Sequence, residues 1–487
     1  MSRATNSERS PLLRIQSRES DARSFSVTTV TPSTVQITAV CLLLAVTQQV
    51  ASVLAALAAQ DLSRAAICGR LHDDVSDPAG DERCHEFPVL TQLSTLELGD
   101  AILTALIGIA APIPVGVAAD RWGRRPFLIL ALVGGALNAG SRMLIYGFPN
   151  GIPLRLTWLS TSFELFSGTY FAIICTILTD VTSKRQRSTS FFYVVAASIL
   201  ATEIGLQLGG FLTDKFGPWP VLATAFGAFV FSVLCAFCIP ETVHLNKTSY
   251  NEEAVEEEPA AQSTTQSMRS AILAAYKGIT TAMAALFWGD KKLGILLLTL
   301  LMVALSSHSI KLLLLYTSYR YQMAFDKVTS IHTIETASQF FLNAIFLPLT
   351  AQALLSFNFS ARRKDAMFVR WGLVVAAVGL FGVGLAPKIG YMIAALVLYT
   401  FVSAYSGGML GLLSQLTSEG HLAALFATTR VLASVGSLLG VPLSKCLFQV
   451  GEELGTAWAG LPYLVLGGIY TLTAVVVFAT TSAAASE

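Results

Sequence analysis

Gly116-Val117-Ala118-Ala119-Asp120-Arg121-Trp122-Gly123-Arg124-Arg125-Pro126 stands between two apolar runs, roughly 93–119 and 126–148. Each run is long enough to cross a bilayer as a helix, so the stretch reads as a tight turn between two spans. Gly116 permits close approach of two helices, and Gly123 supplies the turn. Asp120 can hold a guanidinium or cap a neighbouring helix N-terminus, whose partial positive charge favours an anion. Arg121, Arg124 and Arg125 supply the guanidinium groups. Such a stretch is either a charged latch that forms in one conformation and breaks in another, or a plain positive topology anchor.

The rest of the chain follows the same pattern. Of its 487 residues 53% are hydrophobic and only 13% charged, with a mean hydropathy of +0.62. A soluble domain carries about 25% charged residues, so the chain cannot cover itself with polar surface in water. Apolar runs fall at roughly 34–59, 93–119, 126–148, 154–179, 189–213 and 218–239, then at 293–318, 327–355, 367–387, 389–414, 421–448 and 460–482. The expected architecture is therefore all-α and integral to the membrane, with twelve transmembrane helices in two six-helix, pseudo-symmetric halves. Its segments are a disordered N-terminal tail (1–33), a first half (34–240), an acidic linker (241–290) and a second half (291–487). A net charge of +1 without a concentrated basic surface argues against nucleic acid.

Lysine and arginine placement predicts that both termini, the 116–126 turn and the linker are cytosolic. The sequons at Asn246 and Asn358 would then face the cytosol and stay unmodified. The halves also echo each other. Ile177-Leu178-Thr179-Asp180 closes span four as Leu412-Leu413-Ser414-Gln415 closes span ten, and Gly205 and Gly209 match Gly436 and Gly440.

At 116–126 the chain resembles the major facilitator superfamily, whose signature loop has the form G-x-x-x-D-R-x-G-R-R. The likeness in layout covers nearly everything outside the tail and the linker. It is most similar to the tetracycline-resistance-like and folate/haem-carrier-like branch, which includes many fungal members; Cys68, Cys84, Asp180 and Arg187 fit that branch. The resemblance implies a monomeric secondary transporter that moves a small organic molecule by alternating access, without a cofactor and with protons as the coupling partner. Two departures stand out. Glu164-Leu165-Phe166-Ser167-Gly168 carries glutamate where drug/proton antiporters carry arginine. Gly205-Leu206-Gln207-Leu208-Gly209-Gly210 lacks their proline. Export is preferred on family analogy, and proton-coupled uptake stays open because of Glu164.

Charges inside spans normally face a cavity or a partner, because burying them costs roughly 2.5 kcal/mol or more. Gln48 and Gln49, Glu164, Glu203 and Gln207 form the candidate cavity set of the first half; Glu97 and Asp100 share a face of span two. The second half offers His308 and Lys311 on span seven, the stripe Glu335, Gln339 and Asn343 on span eight, and Arg430 on span eleven. Lys311 and Arg430 either neutralise Glu335 or hold an anionic substrate group. Each residue alone reads equally well as an internal ion pair or helix glue; the set together reads as a lined cavity. Glu203, about fifteen residues into its span and hence near the midplane, is the expected proton carrier, with Glu164 in reserve.

The acidic outer loop 60–92 bears Cys68 and Cys84, either bridged or free. Glu8-Arg9-Ser10-Pro11-Leu12-Leu13 resembles a dileucine sorting signal, so the expected location is the plasma membrane or a vacuolar or endosomal membrane. No HExxH, nucleophile elbow, P-loop or metal-ligand cluster occurs, so nothing favours an enzyme. A transport-inactive sensor is the remaining class, and its usual marks are lacking.

Overall fold

The computed structural model describes residues 32–72, 82–85, 87–148, 151–242, 291–308, 312–322, 325–417 and 421–482, and no strand occurs among them. The N-terminal tail to residue 31, the sorting-signal match within it, and linker residues 243–290 lie outside the described residues.

In the first half, span one is Pro32–Leu71 and span two is Phe87–Ala110 continued by Pro112–Trp122. Span three is Arg124–Gly147, span five Arg187–Phe216 and span six Pro218–Ala236. Span four is assembled from short pieces, Thr157–Thr161, Glu164–Ser167 and Tyr170–Val181. In the second half, span nine is Ala361–Leu385, span eleven Leu422–Glu453 and span twelve Leu461–Ser482. Span ten is Ile389–Tyr399 and Val402–Leu416. Among the described residues, eleven helices are long and apolar enough to cross a membrane. The twelfth, span seven, is divided into Lys291–Ala304, a tight turn Leu305–His308, and Leu313–Tyr321. The polar run Ser306-Ser307-His308-Ser309 explains the division, since serines bond locally and compete with the helical ladder.

Span eight also departs from a plain helix. Phe325–Phe341 passes through one π turn, Leu342–Phe346, before Leu347–Ser356. Pro348 lies just beyond it, and a proline has no N–H for the carbonyl four residues earlier. Large apolar side chains such as Leu137, Phe211, Leu472 and Val475 stay exposed on the outside of the bundle, where lipid is their solvent. Inside the second half, the fully buried Tyr405 and Tyr470 satisfy their hydroxyls on Thr299 and Ser306, at 2.9 and 2.5 Å.

The glycine echo has a physical counterpart. A side chain at Gly205 or Gly209 would collide with Val53 or Leu57 of span one; at Gly436 or Gly440 it would collide with Ala304 or Leu305 of span seven. Spans five and eleven thus hold their partners in the same way in both halves.

Span one runs well beyond its expected end near residue 59, into the stretch read as loop 60–92. Helix-forming alanines at 55, 56, 58 and 59 and an Asp61–Arg64 ion pair of 2.8 Å carry it on. Cys68, in its last turn, is bonded to Cys84 of the short helix Glu82–His85, across a sequence separation of 16. A ring of that size contributes about 3 kcal/mol by restricting the unfolded chain. Accordingly, Cys68 and Cys84 of the purified, unreduced protein should resist alkylation and react only after reduction. Labelling of either before reduction, mapped by peptide mass spectrometry, contradicts the bridge.

Candidate functional site

The 116–126 turn and the Cys68–Cys84 bridge lie at opposite ends of the bundle, called here the motif face and the disulfide face. At the motif face, Asp120 is the junction between halves. The backbone N–H groups of Ala423 and Ala424 donate to its Oδ1 and Oδ2 at 3.1 and 3.0 Å. These are two of the free amides in the first turn of span eleven, so the carboxylate sits on a helix N-terminus as an anionic cap. Gly116 makes the approach possible: a Cβ there would stand 2.7 Å from the Ala423 carbonyl oxygen. Arg124 lies 3.6 Å from Asp120 and pairs closely with Asp180 at the end of span four. Gly123 turns the chain at φ +111°, and Glu241 caps span three by accepting from the N–H groups of Arg124 and Arg125 at 3.0 and 3.2 Å. Arg125 donates to the Phe237 carbonyl at 2.9 Å, while Arg121 is exposed.

A second clamp, absent from the sequence reading, mirrors the first. Lys364 at the start of span nine donates to the Arg185 carbonyl at 2.9 Å and to Ser188 Oγ at 2.6 Å, at the start of span five. Asp365 beside it accepts from Gln415 at 2.6 Å, the residue that echoes Asp180. Arg187 donates to the Ser414 carbonyl at 3.1 Å. Both crossings between halves at this face are therefore closed.

Toward the disulfide face, spans one, two, three and eleven enclose a cavity of about 970 Å³. Glu97, Asp100, Arg142, Ser434 and Arg430 line it. Arg142 was not foreseen. Its guanidinium donates to Asn138 Oδ1 at 3.0 Å, Asp100 Oδ2 at 3.2 Å and Thr161 Oγ1 at 3.2 Å. Asn138 in turn donates to Glu164 Oε1 at 3.3 Å. Glu164 thus joins a network in which the one arginine is already committed to Asp100. Arg430 faces the cavity, exposed, with its guanidinium 5.8 Å from the centre of the Phe171 ring. It has no carboxylate partner among the described residues.

Four residues of the expected cavity set, Glu203, Glu335, Gln339 and Asn343, gather elsewhere. Where span five meets span eight, His332 stands 3.6 Å from Glu335 and feels the charge of both Glu335 and Glu203. Gln339 donates to Glu335 Oε1 at 3.3 Å, and Asn343 donates to the Gln339 carbonyl at 2.8 Å. The basic neighbour of Glu335 is thus His332 rather than Arg430, which lies on the cavity wall instead. Gln49 bridges spans, donating to Thr202 at 3.2 Å and accepting from Tyr170 at 3.5 Å. Gln48 is buried with its Oε1 unpartnered, and Gln207 is exposed. His308 ends the tight turn of span seven, and Lys311 lies outside the described residues.

The sequence profile of the Major Facilitator Superfamily matches residues 37–351. The MFS efflux pump atnC of Emericella nidulans is 24% identical over 405 residues, which cover 80% of this chain and 75% of that protein. The class B tetracycline resistance protein of Escherichia coli is 28% identical over 142 residues, 29% of this chain and 34% of that one. The structure of the human organic anion transporter MFSD10 superposes with a TM-score of 0.65 at 18% identity, covering 92% of this chain and 100% of that one. With a profile match over well more than half its length, the chain belongs to the Major Facilitator Superfamily, and it is a multi-pass membrane transporter rather than an enzyme.

Proposed function

We propose that this transporter exports a small organic anion by alternating access, in exchange for protons. The observation that carries the reading is Arg430. An arginine roughly 12 Å along its span, exposed to a cavity between the halves and without a carboxylate partner among the described residues, is costly unless it meets an anion in the working cycle. Relatives named as efflux pumps support the direction. Lysine and arginine placement supports a cytosolic motif face, so the clamped arrangement reads as outward-facing.

Charge-assisted hydrogen bonds contribute about 1.5–3 kcal/mol. Arg430→Gln should therefore weaken binding of the transported anion by roughly 10- to 100-fold. Arg430→Lys should recover part of it. The assay is flux in sealed vesicles across a panel of anionic, neutral and cationic metabolites. Unchanged affinity for every transported solute in Arg430→Gln would exclude the assignment.

For the protons, Glu203 is the proposed carrier, with His332 and Glu335 beside it at the meeting of spans five and eight. A carboxylate within electrostatic reach of an imidazole that is paired to a second carboxylate can exchange its proton as the helices shift. Glu203→Gln keeps the shape but cannot release a proton. It should abolish flux driven by a pH gradient while sparing substrate exchange. Full gradient-driven accumulation in this variant would transfer the role to Glu164, and gradient-independent flux in the wild type would remove proton coupling altogether. The sign of the flux separates export from uptake.

A further inference from the structure

At the motif face of the second half, the starts of spans seven and nine and the end of span twelve frame a groove of about 510 Å³. Neither clamp uses it. Lys292, Arg362, Arg363 and Arg370 line it, and no acidic residue does among the described residues. The basic run Arg362-Arg363-Lys364 divides here: Lys364 is fully buried against span five, whereas Arg362 and Arg363 stay exposed on the groove. Ser360 accepts the Arg363 N–H at 3.3 Å and so starts span nine at the groove's edge. Arg370 is held in place, donating through Nε to Thr481 at 2.7 Å, with its guanidinium 5.2 Å from the Phe478 ring centre.

The lining is also aromatic. Trp371, 55% exposed, meets Phe478 edge-on at 6.4 Å. A positive floor beside an exposed tryptophan, at the level where three apolar spans end, matches the chemistry of the headgroup region of a bilayer. The volume lies in the range of small-molecule sites, about 300–1,000 Å³.

We infer that this groove binds the phosphate of an anionic phospholipid headgroup from the adjoining leaflet. The arginines bind the phosphate, and Trp371 and Phe478 lie along the glycerol and upper acyl chain. A free phosphate has no use for the apolar wall, which is why the lipid is the assigned source. Because Arg363 and Lys364 are adjacent, a bound headgroup also holds the start of span nine, the segment clamped onto span five.

Native mass spectrometry of the full-length protein in detergent tests this with phosphatidylserine, phosphatidylcholine and inorganic phosphate as probes. Wild type should retain phosphatidylserine over phosphatidylcholine by at least about threefold. The double variant Arg362→Gln/Arg363→Gln should lose that preference, and Arg155→Gln/Lys388→Gln, on the disulfide face, should keep it. Equal retention of the two lipids by the wild type overturns the inference without recourse to any variant. So does equal loss in both double variants, which would mean a general charge effect. Release of bound phosphatidylserine by equimolar inorganic phosphate would make the groove a free-anion site and overturn the lipid assignment. As a second measurement, brominated phosphatidylserine should quench tryptophan fluorescence more than brominated phosphatidylcholine, and Trp371→Phe should remove the difference; an equal quench by both lipids also overturns the inference.

Discussion

The contact on which the arrangement of the halves depends is a carboxylate on a helix end. Asp120 accepts two amides at the start of span eleven, and those amides have no partner within their own helix. An anion in that position contributes up to about 2 kcal/mol when partly buried. Arg124 adds a guanidinium that pairs with Asp120 and Asp180, linking the clamp to the end of span four. Such a contact suits a device that must open: it is directional, it needs close approach at Gly116, and it disappears once the helix end moves a few ångström away.

The second clamp uses the same principle with other residues. Lys364 replaces the cap with a cation donating into the start of span five, and Asp365 with Gln415 takes the place of Arg124 with Asp180. In the proposed alternating-access cycle, two separate closures on one face would let the halves rock as rigid bodies. Each half keeps its own integrity through the glycine contacts of span five with span one and span eleven with span seven. The Arg430 cavity lies toward the other face, where neither clamp intrudes.

The architecture was legible in the chain because it is written in local pattern. Apolar length gave the spans, and the 116–126 turn gave the hinge with Asp120 in the role of a helix cap. The glycine pairs were legible as well, since their spacing is internal to one helix. Pairings between distant spans were not. Arg142 sits in span three with no acidic residue near it in that span, and only the fold brings it to Asp100 of span two and Thr161 of span four. His332 near the start of span eight was not singled out, because only the fold brings span five beside it. Lys364 and Asp365 drew no attention in the sequence because a lysine–aspartate step at a span's end carries no local pattern, yet both are fully buried at the meeting of the halves. The division of span seven was missed because hydropathy averages over the serines that cause it.

If Asp120 is the latch, it sets the balance between motif-face-closed and motif-face-open states. Spin-label distances measure that balance directly. One pair of exposed positions, Lys184 and Phe357, reports on the motif face, and another, Arg155 and Lys388, on the disulfide face. Labels go onto protein whose free cysteines Cys41, Cys175, Cys235, Cys238 and Cys446 have been replaced, with the native bridge kept. Losing a cap of about 2 kcal/mol shifts the two populations by roughly 30-fold. In Asp120→Asn the motif-face distance should therefore lengthen while the disulfide-face distance shortens. Distances that stay unchanged, or that change together in one direction, would contradict the account.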